Sequence, residues 1–139
     1  MNDSTRTGMA PAAEGVVSKL SPFSVENTLA RLRASIEGHH LRIFAQIDHS
    51  EEAKHTGLSM QEAHVLIFGS PQAGTPLMIV SPLLALDLPL KALVWQDQAG
   101  EVWVSYQSTA YLAERYTIPA DLTSNIAGID ALVAGVLQS

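Results

Sequence analysis

Asp48 and His49 stand side by side where an alternating apolar segment runs into an acidic one, and residues of these types could transfer protons. A neutral imidazole near physiological pH is the natural general base. Adjacent residues on a strand point to opposite faces, so the two side chains should diverge unless the strand end bends. The plainer expectation is turn chemistry, with Asp48 accepting backbone N–H groups and His49 half exposed.

A second feature is Gly69-Ser70-Pro71-Gln72-Ala73-Gly74, followed by Thr75-Pro76. Strand, glycine, four residues, glycine and helix start resemble the geometry that cradles phosphates, because backbone N–H groups at a helix N-terminus attract anions. The phosphate-loop pattern needs Lys after the second glycine, where this chain has Thr75, and both prolines remove N–H donors. Nucleotide triphosphates are therefore excluded. A weaker site for a carboxylate or a single phosphate remains, built from Gly69, Ser70, Gly74 and Thr75. The alternative is structural: two glycines at positive φ, and Thr75 capping a helix whose first residue is Pro76.

Asp87 and Lys91 bracket Leu88-Pro89-Leu90. An ion pair or a helix-end cap is the preferred reading, and a Schiff-base role for Lys91 would need a burial that the sequence does not display. The histidines, at 39, 40, 49, 55 and 64, form no closely spaced ligand set. A two-His, one-carboxylate site from His49 and His55 beside Glu51 and Glu52 is the weakest of these readings, and no metal centre is expected. Trp95 and Trp103 fall on neighbouring strands and read as a cross-strand packing pair.

These residues need a scaffold. A strand is predicted at Val16 to Leu20, then a helix capped by Ser24 with Val25, Leu29, Leu32 and Ile36 as its stripe and Gly38 as its stop. Arg42 to His49 alternates, with Ile43, Ala45 and Ile47 on one side and Arg42, Phe44, Gln46 and Asp48 on the other. A polar stretch, read as a short helix, leads to Gly57, and Val65 to Phe68 is a continuous apolar run suited to a central strand. Leu77 to Leu86 is apolar nearly all round and broken by Pro82, which makes it core or a self-association surface. Leu90 to Gln96 and Val102 to Tyr106 form a hairpin through Asp97-Gln98-Ala99-Gly100. Ser108 caps a short helix, and a last helix from about Asp121 buries Leu122, Ile126, Ile129, Val133 and Val136. Its small residues Gly128, Ala131 and Gly135 suit close packing.

The chain has 139 residues, 47% hydrophobic and 16% charged, enough for one domain with a core of its own. With no cysteine, thiolate catalysis, disulfides and cysteine-ligated metals are absent. A net charge of −6, with eight scattered Lys and Arg, argues against nucleic-acid binding. No run of about 18 apolar residues occurs, so no membrane span is expected. Residues 1–14 read as a disordered polar tail, residues 15–139 as a single domain, and the cytoplasm as the address.

Four stretches carry a resemblance: Phe44 to His49; Leu66 to Pro71 with Gly74 to Met78; Leu86 to Trp95; and Val102 to Tyr106 with Tyr111 to Ala113. In that order and spacing the segment from about 15 to 118 resembles the family called domain of unknown function 302. Members often carry Asn where this chain has Ser70, and a polar residue where it has Ile79. The resemblance implies a TATA-binding-protein-like architecture, commonly paired as homodimers, and no activity. It does not carry DNA binding with it.

The expectation is therefore an α+β domain with a largely antiparallel sheet, helices packed on one face and the order strand, helix, four strands, helix. Its function is expected to be that of a non-enzymatic homodimer binding a small polar or anionic ligand, or a protein partner, with no cofactor. Asp48, His49, Gly69, Ser70, Gly74, Thr75, Asp87 and Lys91 are the candidate contacts. The alternative is an enzyme with His49 as acid or base and the Gly69–Thr75 loop holding substrate.

Overall fold

The computed structural model describes residues 12–138. Of the expected tail, residues 1–11 lie outside the described residues, and 12–15 lead through a turn into the first strand, Val16 N–H donating to Ala13 O at 3.1 Å. The elements are β1 (Val16–Ser21), α1 (Val25–Gly38), β2 (Arg42–Asp48), α2 (His49–His55), β3 (Ala63–Gly69), α3 (Pro71–Val80) and a 3₁₀ turn (Pro82–Leu86). There follow β4 (Leu90–Gln96), β5 (Val102–Gln107), α4 (Thr109–Tyr116), a 3₁₀ turn (Ala120–Leu122) and α5 (Ser124–Val136).

The strands make one sheet in the order β1-β5-β4-β3-β2, and each neighbouring pair is antiparallel. This is the expected α+β class with an antiparallel sheet. Side-chain alternation gives the sheet two unlike faces. Leu66 and Phe68 of β3, Ala92 and Val94 of β4, and Val102, Val104 and Tyr106 of β5 pack in one core with Leu29, Leu32 and Ile36 of α1 and Ile129, Leu132, Val133 and Val136 of α5. Burying a side chain such as Phe68 contributes about 2 kcal/mol. On the other face Trp95 and Trp103 are direct Cα partners, as the hairpin spacing predicted. Their indole N–H groups donate to Ser105 Oγ and Asp97 Oδ2, each at 2.9 Å.

A smaller core of Leu77, Leu84, Leu112, Ile118 and Ile126 ties α3, its following 3₁₀ turn, α4 and the start of α5 together. Two hydrogen bonds reinforce it: Ser81 Oγ donates to Tyr116 O at 2.7 Å, and Asn125 Nδ2 to Ala73 O at 2.9 Å.

Several local expectations change. The helix placed at Thr75-Pro76 begins one cap-proline pair earlier, because Ser70-Pro71 offers the same chemistry: Ser70 Oγ accepts from Ala73 N–H at 3.3 Å and Pro71 takes the first helical position. Pro76 thus lies inside α3, Thr75 caps nothing, and Gly69 and Gly74 sit in a strand and a helix. The positive-φ glycines among the described residues are Gly15, Gly57 and Gly100. Helix α1 includes Gly38, and the left-handed residue after it is His40. The last helix starts at Ser124 because residues 119–123 bond in the tighter i→i+3 pattern, and its buried stripe also takes in Leu132.

The simple alternation of β2 is broken by a bulge between Ile43 and Ala45. Ile43 pairs with Phe68 and packs on the helix-side core, whereas Ala45 and Ile47, paired with Ile67 and Val65, lie on the other face. Phe44, the displaced residue, is left at the surface with the Arg42 guanidinium 4.7 Å above its ring.

Candidate functional site

The elements meet around a cleft of about 600 Å³ at the end of the sheet where β3 finishes and β4 begins. Leu41, Phe44, Phe68 and Leu90 line its sheet side, and Ser35 and His39 come from the C-terminal part of α1. Ser70, Pro71, Ala73, Gly74 and Met78 enter from α3 and its cap, followed by Leu88 and Pro89. Helix α5 supplies Asn125, Ile126, Ile129 and Leu132 together with Gly128, Ala131 and Gly135. Asp, Glu, Lys and Arg do not occur among the lining residues. The space is therefore apolar with a few neutral polar groups on its walls, the usual make-up of a small-molecule site.

Local chemistry explains why the space stays open. A methyl group added to Gly128 or Gly135 would find no atom within 4 Å, so the small residues of α5 border an open mouth instead of packing closely against another element. The anion nest expected at the start of α3 is largely spent. Pro71 has no N–H, Ala73 N–H donates to Ser70 Oγ, and Gly74 N–H donates to Ser70 O at 2.8 Å.

The sequence-derived candidates divide. Gly69, Ser70 and Gly74 line the cleft; Thr75, Asp48, His49, Asp87 and Lys91 do not. Asp48 caps α2, its Oδ1 accepting from Glu51 N–H at 2.9 Å and from Ser50 Oγ at 2.5 Å. Those donors, led by the Ser50 hydroxyl, hold its carboxyl below the usual range. Its histidine is not the neighbouring His49, which is exposed at the start of α2, but His64, its Cα partner on β3. His64 is buried, with Nδ1 3.7 Å from Asp48 Oδ2 and Nε2 2.6 Å from Glu62 Oε1.

Asp87 ends the first 3₁₀ turn, in keeping with the helix-end reading, but its cation is not Lys91. It accepts from the Tyr116 hydroxyl and from Gln107 Nε2 at 3.5 Å, and Arg115 Nη1 lies 3.7 Å away, while Lys91 is exposed on β4. The bond to Asp87 pushes the Tyr116 hydroxyl above its ordinary pKa. His49 and His55 open and close α2, and among the described residues no three His, Cys, Asp or Glu side chains converge as a ligand set.

Sequence reasoning missed Phe44, His39, Met78 and Asn125 as cleft residues. Only Gly128, Ala131 and Gly135 carried a signal, one helical face of small residues, and it was read as close packing. The gathering of α1, α3, α5 and the Leu88–Leu90 segment is tertiary and leaves no trace in local spacing.

Known proteins provide a family match, two relatives and a structural neighbour. The sequence profile of "Domain of unknown function DUF302" matches residues 17–136. The chain is 38% identical over 121 residues to a protein named fluoride-specific ion channel FluC 1 from Brucella suis biovar 1 (strain 1330), covering 87% of this chain and 46% of that one. The same identity and length relate it to fluoride-specific ion channel FluC 2 of Brucella melitensis biotype 1, with 44% of that protein covered. The chain thus spans less than half the length of these curated relatives. In three dimensions it is similar to the crystal structure of an uncharacterized conserved protein DUF302 from Bacillus stearothermophilus, with a TM-score of 0.74 and 20% identity over 90% of this chain and 97% of that one. At that identity the likeness establishes the fold.

Proposed function

This chain belongs to the family of domain of unknown function DUF302, and from that premise we propose that it is a non-enzymatic binding domain whose cleft takes a small, mainly apolar ligand. The observation that carries the reading is the cleft itself: about 600 Å³ of space, walled by aliphatic and aromatic side chains and lacking Asp, Glu, Lys and Arg. The one titratable side chain on its walls is the exposed His39, so an uncharged ligand suits this lining better than the anionic one that the sequence suggested. Native mass spectrometry of gently purified protein tests this. A reproducible neutral adduct, lost when Gly128→Leu obstructs the cleft, is the expected result; an anionic adduct that survives that substitution would sink the reading.

Pairing as a homodimer is the second part of the proposal. Ile79, Val80, Leu83 and Leu86 are 72%, 53%, 70% and 75% exposed along α3 and the following 3₁₀ turn, an aliphatic patch of the kind that mediates association. Sedimentation of a monomer at micromolar concentration would refute it.

The name of the Brucella relatives implies transport, but this chain matches less than half of each. Among its described residues no helix is long and apolar enough to cross a membrane. Channel activity forms no part of the proposal. Acid–base chemistry at His49 has no supporting observation either, since His49 is exposed and lines no cleft with Ser70 or Gly74.

A further inference from the structure

We propose that Ser70 and Asn125 are the recognition pair of the cleft, and that the group they read is a neutral primary carboxamide carried on an apolar body. The inference rests on the reading of the cleft as a ligand site and adds the polar group of the ligand and the residues that select it.

Ser70 and Asn125 line the cleft from two different elements, the cap of α3 and the first turn of α5, yet the same residue fixes both. Ser70 Oγ accepts from Ala73 N–H at 3.3 Å, and Asn125 Nδ2 donates to Ala73 O at 2.9 Å. The bonded atoms of the two side chains are therefore no more than about 10 Å apart, and a carboxamide with a hydrogen bond at each end spans about 8 Å. Those two bonds are structural, since one starts α3 and the other ties α5 to it. They also determine which polar functions are left over.

Ala73 O can only accept, so the Asn125 amide is oriented with its nitrogen toward α3, and Oδ1 is left as an acceptor. Ser70 has given a lone pair to Ala73 N–H and keeps its O–H to donate. Both side chains are half-buried, and neither free oxygen is sealed away from the cleft. On the α1 wall, His39 Nδ1–H donates to Ser35 O at 2.7 Å, so the neutral imidazole offers Nε2 as a further acceptor.

One donor and two acceptors on an otherwise apolar wall call for a ligand group with one acceptor and two N–H donors. A primary carboxamide has that set. A carboxylate brings acceptors only and would face Asn125 Oδ1 and His39 Nε2 with nothing to donate. An ammonium group offers no acceptor to the Ser70 hydroxyl and would enter a lining without Asp or Glu. A ketone or ester answers Ser70 alone. Once a ligand excludes water from the pair, each unmatched group is penalised, so the selection is built into the wall.

Binding of benzamide, acetophenone and benzoate to the isotope-labelled full chain tests the proposal, read from the NMR shifts of the Gly69 and Gly74 amides. The three share a ring and a carbonyl carbon and differ in one substituent. Acetophenone is the more apolar of the two neutral probes, so transfer from water alone favours it. Benzamide should nevertheless bind about tenfold tighter than acetophenone, and benzoate should bind most weakly. Asn125→Leu should abolish the preference for benzamide and leave acetophenone as before. Ser70→Ala should weaken both neutral probes about fivefold, because its hydroxyl meets the carbonyl they share, and Ser70→Thr should restore them.

If acetophenone or benzoate binds as tightly as benzamide while Gly128→Leu abolishes binding of all three, the carboxamide inference falls and the cleft reading stands. The same holds if benzamide keeps its lead in a folded Asn125→Leu. The probe series on the parent chain decides between these outcomes even if Asn125→Leu does not fold. If no probe shifts the two amides, or all bind Gly128→Leu unchanged while circular dichroism shows that variant folded, the cleft reading falls and takes the inference with it.

Discussion

Arg31 Nε donates to the carbonyl oxygen of Val136 at 3.0 Å, so a guanidinium on α1 caps the C-terminal end of α5 from 105 residues away in sequence. The same group lies 4.1 Å above the Phe23 ring and donates through Nη2 to Gln138 O at 3.0 Å. The cation meets the negative end of the helix dipole and satisfies carbonyls that have no partner within the helix. Arg31→Ala should lower stability by about 1–2 kcal/mol in urea unfolding. Arg31→Lys, with a charge but no fork, should recover only part of it.

Two glycines should respond in opposite directions. Gly128 lies within α5 with open space around a new methyl, so Gly128→Ala should raise stability by about 0.5–1 kcal/mol. Gly15 has φ +78° and its methyl would run into the Tyr111 ring, so Gly15→Ala should cost more than about 2 kcal/mol. Thermal melts of the two variants side by side check both signs.

The start of α3 can be located by its cap. Ser70→Ala removes the side chain that accepts from Ala73 N–H and should cost about 1 kcal/mol. Thr75→Ala should be neutral or slightly stabilising, because Thr75 is exposed within the helix and Ala is the better helix former. A larger loss at Thr75 than at Ser70 in denaturant titration would place the helix start at the second pair after all.

Stability should decline at both ends of the pH range. The Tyr106 hydroxyl and Lys19 hold Asp130 below its ordinary value of 3.8. Burial alone would raise Asp97, but the Trp103 indole N–H and the backbone N–H groups of Glu101 and Ala99 outweigh it and hold it down. Depressed carboxylates stabilise the fold above their unfolded pKa, and that contribution is lost as the pH falls through the folded values, so acid unfolding should begin below about pH 4. Tyr106 runs the other way. Burial first, then the bond to Asp130, raises it well above 10.0, so its contribution is complete below pH 10 and is lost as the pH climbs beyond it. Urea midpoints at pH 9 and pH 11 should differ less in Tyr106→Phe than in the parent chain.

The aliphatic patch gives a test that separates association from folding. Leu83 is 70% exposed and lies outside both cores, so Leu83→Glu should move the midpoint of thermal unfolding little if the chain is monomeric. In a homodimer formed through the patch, the same change should shift sedimentation toward the monomer. A parent and a variant that sediment alike as dimers would put the interface elsewhere.

Much of the framework was legible in the sequence because its causes are local. Ser24 accepts from Asn27 N–H at 3.1 Å and Ser108 from Tyr111 N–H at 2.8 Å, so both helix starts follow from the cap residue. Leu29, Leu32 and Ile36 are buried at the spacing that a helix imposes. The α3 start was misread because two cap-proline pairs five residues apart carry the same local signal, and Leu77 had to be buried against Leu84 and Leu112 to decide between them. The face of Ala45 and Ile47 was misread because a bulge leaves no residue pattern of its own.

What the sequence determined by itself is the class of fold, the strand and helix inventory and the absence of cysteine chemistry, all of which depend on residue type and on periods of two and 3.6. What only the tertiary structure decided is where chemistry is possible. The pairing of Asp48 with His64 follows from strand register, and that of Asp87 with Tyr116 from packing against α4. The uncharged cleft exists because α1, α3 and α5 converge at one end of the sheet and leave Gly128 and Gly135 facing open space. Local propensity acts over a turn or a strand, whereas a cavity is set by the distances between elements, which only packing fixes.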